Sequence, residues 1–196
     1  MKRIKIKTPY TTLTQQRLCC VPCAIQWILL RRKIKLVEQE TIGKALDLII
    51  RKKYKKLFIS NIKTKKKKPK RGYGTQEKDG SKINKFFRKH KIPLKTKKIF
   101  HSKIKDAAGL IAENLKKGND IMLVTYMSAI KPKEKYGHAL LVSEIILNKK
   151  PKVIVGDPSF FSKKFWEADL NKLISGMNKK FGGEERGIYI FSKRKL

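Results

Sequence analysis

The hydrophobic pattern of this chain changes period near Gly118, and that switch limits the folds open to it. Before it, apolar residues recur at helical spacing; after it, they fall in short apolar blocks bounded by turn residues. Cys20 to about Arg32 reads as a helix, with Ala24, Ile25, Ile28 and Leu29 on its buried side. Pro22 falls in the first turn, where backbone donors lack partners anyway, and Arg31, Arg32 and Lys33 suit the C-terminal end. A second helix is predicted from Glu38 or Thr41 to Ile50 or beyond. A third, capped by Ser81, carries Ile83, Phe86 and Phe87, and a fourth spans Asp106 to Lys117. Residues 121–126, 138–145, 153–155 and 187–191 read as strands, with a helix near Ala168 to Ile174 before the last. No repeat or linker separates two cores. The expected fold class is α+β, a helical N-terminal half packed on an antiparallel sheet from the C-terminal half, in one domain over residues 1–196.

Charge is the compositional extreme. There are 50 Lys+Arg against 15 Asp+Glu, a formal +35, while 40% hydrophobic residues suffice for a core. Counted along the chain, 41 of the basic residues are Lys and nine are Arg. Lys enrichment beside abundant Ile is what an AT-rich coding sequence produces everywhere, whereas phosphate and base readout favours Arg forks at defined places. The charge is therefore read mainly as compositional, with non-specific polyanion contact through the Lys-rich surface as its consequence. The basic Pro/Gly segment near residues 63–74 has little to bury and is expected to be an exposed loop. The basic N-terminus lacks the apolar run of a secretory signal, and the apolar stretches at 24–30 and 139–142 are too short for a transmembrane segment. Three cysteines within five positions cannot build a disulfide framework and suit a reducing, cytoplasmic setting.

Those cysteines open the chemical reading. A thiol becomes a useful nucleophile when a helix N-terminus or an imidazolium lowers its pKa from about 8.5. Cys20 stands where the first helix begins, with Gln15 and Gln16 upstream as amide donors for a developing oxyanion. Of three histidines, His90 and His101 lie among lysines, whereas His138 opens an apolar strand behind Gly137. Asp157 follows nineteen positions later in Val-Ile-Val-Gly-Asp-Pro. Each feature alone has an ordinary explanation: a buried small cysteine, a strand-edge histidine, a turn aspartate. If strands 138–145 and 153–155 are antiparallel neighbours, His138 and Asp157 meet, and an acid beside imidazole fixes its tautomer.

Taken together, these segments resemble papain-like cysteine peptidases of the bacteriocin-processing, double-glycine-leader type and their stand-alone relatives. Gln15-Gln-Arg-Leu-Cys-Cys20-Val-Pro22-Cys-Ala24 is similar to that family's nucleophile region, and Tyr136-Gly-His138-Ala-Leu-Leu-Val to its Gly-His-apolar strand. Val155-Gly-Asp157-Pro158 resembles its Asp-Pro motif, Gln39-Glu-Thr-Ile-Gly-Lys-Ala-Leu its second helix, and Glu185-Arg-Gly-Ile-Tyr-Ile its closing strand. The resemblance implies a papain-like fold acting on a peptide or related amide. It implies Cys20 as nucleophile, His138 as base, Asp157 as orienter, Gln15 or Gln16 as oxyanion donor, and no cofactor or metal. Val21 departs from the family's usual Gly, and a Gln five or six residues before the Cys favours Gln15 slightly.

Two other readings use the same residues. Cys20-Val-Pro-Cys23 has the spacing of a thiol–disulfide oxidoreductase, but that motif needs a buried apolar strand before it and the lead-in here is polar. A non-enzymatic basic module, or an inactive peptidase fold, binding nucleic acid or anionic membrane through residues 63–71 is the other. A zinc site is disfavoured because no second Cys pair exists.

Overall fold

The computed structural model describes residues 2–178 and 185–194. In chain order the elements are β1 (Lys2–Lys5), α1 (Cys20–Arg31), α2 (Gln39–Ala45), β2 (Ile49–Arg51), β3 (Lys63–Lys65), α3 (Ser81–Lys89) and β4 (Leu94–Phe100). They continue with α4 (Ala107–Lys116), β5 (Asp120–Tyr126), β6 (Gly137–Leu147), β7 (Lys152–Gly156), β8 (Phe165–Asp169), α5 (Leu170–Asn178) and β9 (Gly187–Lys193). A seven-stranded antiparallel sheet runs β4-β9-β5-β6-β7-β8, with β1 paired to β6. The long β6 has room for this because β5 pairs along Gly137 to Leu141 while β1 pairs along Glu144 to Leu147.

α1 is buried along Val21 to Leu29, which explains why its apolar residues run nearly all round it. The one amide there, Gln26, donates through Nε2 to the Val37 carbonyl at 2.7 Å. The arginines closing α1 face inward rather than water. Arg31 Nε and Arg32 Nε each lie 2.5 Å from one oxygen of the fully buried Asp120, and the Tyr10 hydroxyl donates to the same carboxylate at 3.1 Å. The helix is thereby pinned by its C-terminal end to the start of β5.

The division into a helical and a sheet half needs correction. β1 and β4 from the N-terminal half join the main sheet, so helices and strands alternate rather than segregate. The second helix stops at Ala45, and Ile49–Arg51 is instead strand β2, paired in parallel with Lys63–Lys65. The 63–74 segment is thus a strand and a return: Gly74 makes an antiparallel bridge to Ile49, which brings the loop back against the body. Residues 165–169 form β8 before the helix assigned there by sequence begins. Ser81 is the first helical residue and not the cap. The Glu77 carboxylate takes the N–H groups of Gly80 (2.8 Å) and Ile83 (3.0 Å) instead. Asp106 does cap α4, accepting from the Gly109 N–H at 2.9 Å.

Candidate active site

Cys20 is the first residue of α1, half-buried, with its sulfur at the positive end of the helix dipole. The turn that delivers it is strained. Leu18 adopts φ 64°, a left-handed conformation uncommon for a residue with a Cβ, and the Cys19 N–H donates to the Gln16 carbonyl at 3.0 Å. This turn sends Cys19 into a small cluster with Leu48, Ile50, Phe58 and Ile62 and leaves Cys20 facing a cleft. Cys23, one turn on, lies in the main core.

His138 comes from the start of β6 and Asp157 from just past the end of β7. The register sets Leu141 opposite Gly156, so the two strand ends overlap at the site. His138 Nε2 lies 2.7 Å from Asp157 Oδ1, both side chains being buried. With Nε2 engaged, Nδ1 is the ring nitrogen left for the Cys20 thiol, with which His138 shares a hydrogen bond. Asp157 is held from three directions: Oδ1 also accepts the Ser159 N–H at 2.9 Å, and Oδ2 accepts the Trp166 indole N–H at 3.2 Å. Gly156 is needed beside it, because a Cβ there would stand 2.7 Å from Cζ3 of the buried Trp27.

The electrostatics follow from these contacts. Burial pushes the Cys20 thiol up, but the hydrogen bond and charge of His138, with the N–H groups of Ala139 and Val21, bring it below its ordinary value. Burial would lower His138, yet its bonds to Asp157 and Cys20 raise it to about 9. Burial raises Asp157, and His138, Ser159 and Trp166 outweigh it, leaving the carboxyl at about 2. The three groups are thus coupled, with His138 protonated and Asp157 ionised at neutral pH and the Cys20 thiol shifted toward its thiolate. Cys23, by contrast, is pushed up to about 12 and Cys19 well above its ordinary value, both mainly by burial.

The two candidate glutamines separate. Gln15 lines the cleft with Cys20 and His138, and its backbone N–H is tied to the Pro158 carbonyl at 2.9 Å, locking the nucleophile lead-in to the Asp157 turn. Gln16 points elsewhere: its Nε2 donates to Glu40 Oε1 at 3.2 Å and its N–H to Gln39 Oε1 at 2.8 Å. The geometry therefore favours Gln15 as a donor into the cleft. Val21, where the resembling family has Gly, is buried in the core; it lines a small adjoining depression and not the main cleft. Residues 6–19, between β1 and Cys20, form no strand, and Cys23 is buried, so the apolar strand that the oxidoreductase motif needs before it is missing.

The main cleft, about 460 Å³, has walls that sequence reasoning missed. Tyr54, Tyr73, Tyr126, Phe160 and Phe161 line it, and the basic 63–74 loop reaches it through Lys68 and Arg71. Trp166 was missed too; the one available signal was an aromatic in the segment just after the Asp-Pro turn. Among the described residues, no group of three or more His, Cys, Asp or Glu side chains could hold a metal ion, and no helix is long and apolar enough to cross a membrane.

The architecture is a mixed helix and antiparallel-sheet fold. The chain is similar to a solved structure from Bacillus anthracis described as a C39-like peptidase, with a TM-score of 0.60 and 10% sequence identity over 100% of both chains. At that identity the likeness is one of fold. No family model and no curated protein sequence matches the chain.

Proposed function

We propose that the protein is a cysteine peptidase, a thiol hydrolase of a peptide or related amide bond. The observation that carries this reading is the hydrogen-bonded chain from Cys20 through His138 to Asp157 at the floor of an open cleft. The Cys20 thiolate attacks the scissile carbonyl carbon, and the oxyanion forms beside the Gln15 amide and the positive end of α1. The His138 imidazolium gives its proton to the leaving amine as the C–N bond breaks, leaving a thioester. Neutral His138 then takes a proton from water, whose oxygen displaces the Cys20 sulfur and releases the acid. Asp157 holds the ring and stabilises its cation throughout. The resemblance of these segments to bacteriocin-processing peptidases accords with this assignment and suggests a peptide substrate.

The direct test is hydrolysis of a fluorogenic peptide library by the wild type and by Cys20→Ser. Turnover is expected from the first only, with a thioester trapped on Cys20 by mass spectrometry after rapid acid quench. Equal turnover by both proteins would remove the reading.

Asp157→Asn makes a finer expectation. The amide oxygen remains beside His138 and the Ser159 N–H, but the charge that lifts His138 is gone. The descending limb of the pH–rate profile should move down from about 9 toward the ordinary histidine value of about 6.5. The new NH2 group would then face the Trp166 indole N–H across the present 3.2 Å contact, donor against donor. Adding Trp166→Phe should recover part of the lost rate. A double variant worse than Asp157→Asn alone would show that this clash is not what limits it.

A further inference from the structure

The basic character of the cleft is not what compositional bias produces. Of the nine arginines in the chain, Arg17, Arg51, Arg71 and Arg186 line this one cleft, whereas among the described residues only two of the far more numerous lysines, Lys68 and Lys135, do so. A bias that adds lysine everywhere would give the opposite ratio. Two further arginines, Arg31 and Arg32, hold the buried Asp120. Arginine in this chain is thus concentrated where a carboxylate is held or a cleft is lined.

The four cleft arginines come from distant parts of the sequence: before α1, at the end of β2, in the basic loop and before β9. Three have their guanidinium groups set over tyrosine rings of the same wall. Arg17 lies 5.5 Å from the Tyr54 centroid, Arg51 5.3 Å from Tyr73, and Arg186 5.3 Å from Tyr126. Arg186 packs beside Gly137, next to His138. Stacking limits the freedom of the Arg17 and Arg51 guanidinium groups and orients their N–H edges for a planar, bidentate acceptor, while Arg71 donates to the Gln76 and Glu77 carbonyls. Among the described residues no Asp or Glu lines this cleft; Glu77 and Glu185 line the smaller adjoining depression. At the lip, Phe160 and Phe161 are 61% and 86% exposed, offering apolar contact between the charged positions.

We infer that the cleft recognises peptides carrying Asp or Glu side chains close to the scissile bond, interspersed with apolar residues. The class of ligand rests on the peptidase reading. The preference for carboxylates rests on the arginine placement alone. Single-stranded nucleic acid fits less well, because binding without sequence preference relies on open aromatic faces for base stacking, and a guanidinium already covers one face of each of three tyrosines here.

The test uses a short fluorescein-labelled peptide of Glu, Ala and Phe, and the same peptide with Gln for each Glu. Binding to the Cys20→Ser protein is read by anisotropy, and wild-type kcat/KM is measured for both. The acidic peptide is expected to bind about tenfold more tightly at 0.1 M salt, an advantage that shrinks at 1 M as screening shortens to about 3 Å. The advantage should fall at least about threefold in Arg17→Gln/Arg51→Gln, whose melting temperature reports that it remains folded. Equal affinity for the two peptides, or an advantage that survives the double variant, overturns the inference. Displacement of the peptide by single-stranded RNA at equal affinity, lost in the same variant, overturns it in favour of a polyanion groove. Selective binding without wild-type hydrolysis leaves acidic recognition standing and takes down the peptidase reading instead. Hydrolysis of both peptides at equal kcat/KM does the reverse.

Discussion

Iodoacetamide is expected to label Cys20 and leave Cys19 and Cys23 essentially untouched until the protein is denatured. Ionisation alone supplies most of the selectivity. With the Cys23 thiol at about 12, only about one molecule in 10⁴ carries its thiolate at pH 8, and Cys19 is higher still. Cys20 is brought below its ordinary value by His138, so its labelling rate should rise at a pH lower than the free-thiol value of about 8.5. The rate reports the pair rather than one residue, since loss of the His138 proton near pH 9 removes the ion pair but leaves a thiolate. Turnover, which needs the imidazolium as acid, should therefore be bell-shaped, while alkylation should stay high above pH 9. In His138→Ala, burial acts on Cys20 with its main counterweight gone, and the labelling midpoint should move above 8.5. At pH 6.5 the difference in rate is expected to be tenfold or more, one unit of pKa being about a factor of ten in thiolate. A Cys20 that titrates like a free thiol with His138 intact would end the peptidase assignment without touching the fold.

The elements nearest this site are those the sequence announces most clearly. α1 begins at Cys20 as expected, and the apolar blocks at 121–126, 138–145 and 153–155 lie within β5, β6 and β7. Such strands, buried on both faces, betray themselves by uninterrupted apolar residues. The antiparallel pairing of β6 with β7 brings His138 and Asp157 together as their positions suggested.

Three of the strands that were not legible, β1, β3 and β4, carry lysine, whereas β2 and β8 carry none and overlap stretches read as helix. In β4, Leu94 and Thr96 are buried while Lys95 and Lys97 are exposed, so the alternation is present; four lysines among the surrounding residues hid it. β1 and β3 are shorter still, and β3 exists through backbone pairing with β2 while burying no side chain fully. The same holds for the cleft walls. Arg17, Arg51, Arg71 and Arg186 are scattered over 170 positions among many lysines, and only the folded chain shows that they converge. Trp166 reaches Asp157 because β7 and β8 pair side by side, setting Val155 opposite Trp166, a register that no local pattern states.

The largest expected loss of stability lies away from the cleft, at Asp120. Its carboxylate is fully buried and accepts from Arg31, Arg32 and Tyr10, while Arg31 and Arg32 also donate to the Gly118 carbonyl at 3.1 and 3.0 Å. Burial would lower the Arg31 pKa, but the bond and charge of Asp120 raise it, so the guanidinium stays charged inside the fold. Asp120→Ala removes the one carboxylate these two cations share. Breaking a buried pair from one side costs about 3–5 kcal/mol, because the remaining charge is uncompensated. For a chain of this size each kcal/mol lowers the melting temperature by about 2–4 °C, so a drop of roughly 10 °C is expected. Tyr10→Phe removes a single donor and should cost only about 1 kcal/mol. The two variants should couple, since they share one oxygen of Asp120. The consequence for function is indirect. Asp120 fixes the C-terminal end of α1, about 18 Å along the axis from Cys20 at 1.5 Å per residue over its 12 residues. Well below its melting temperature, Asp120→Ala should keep the pH midpoint for labelling Cys20, because the thiol's own partners are His138 and the N–H groups of Ala139 and Val21. A melting temperature unchanged in Asp120→Ala would show that the cluster sets no part of the stability. A shifted labelling midpoint would show that the pin at one end of α1 also tunes the nucleophile at the other.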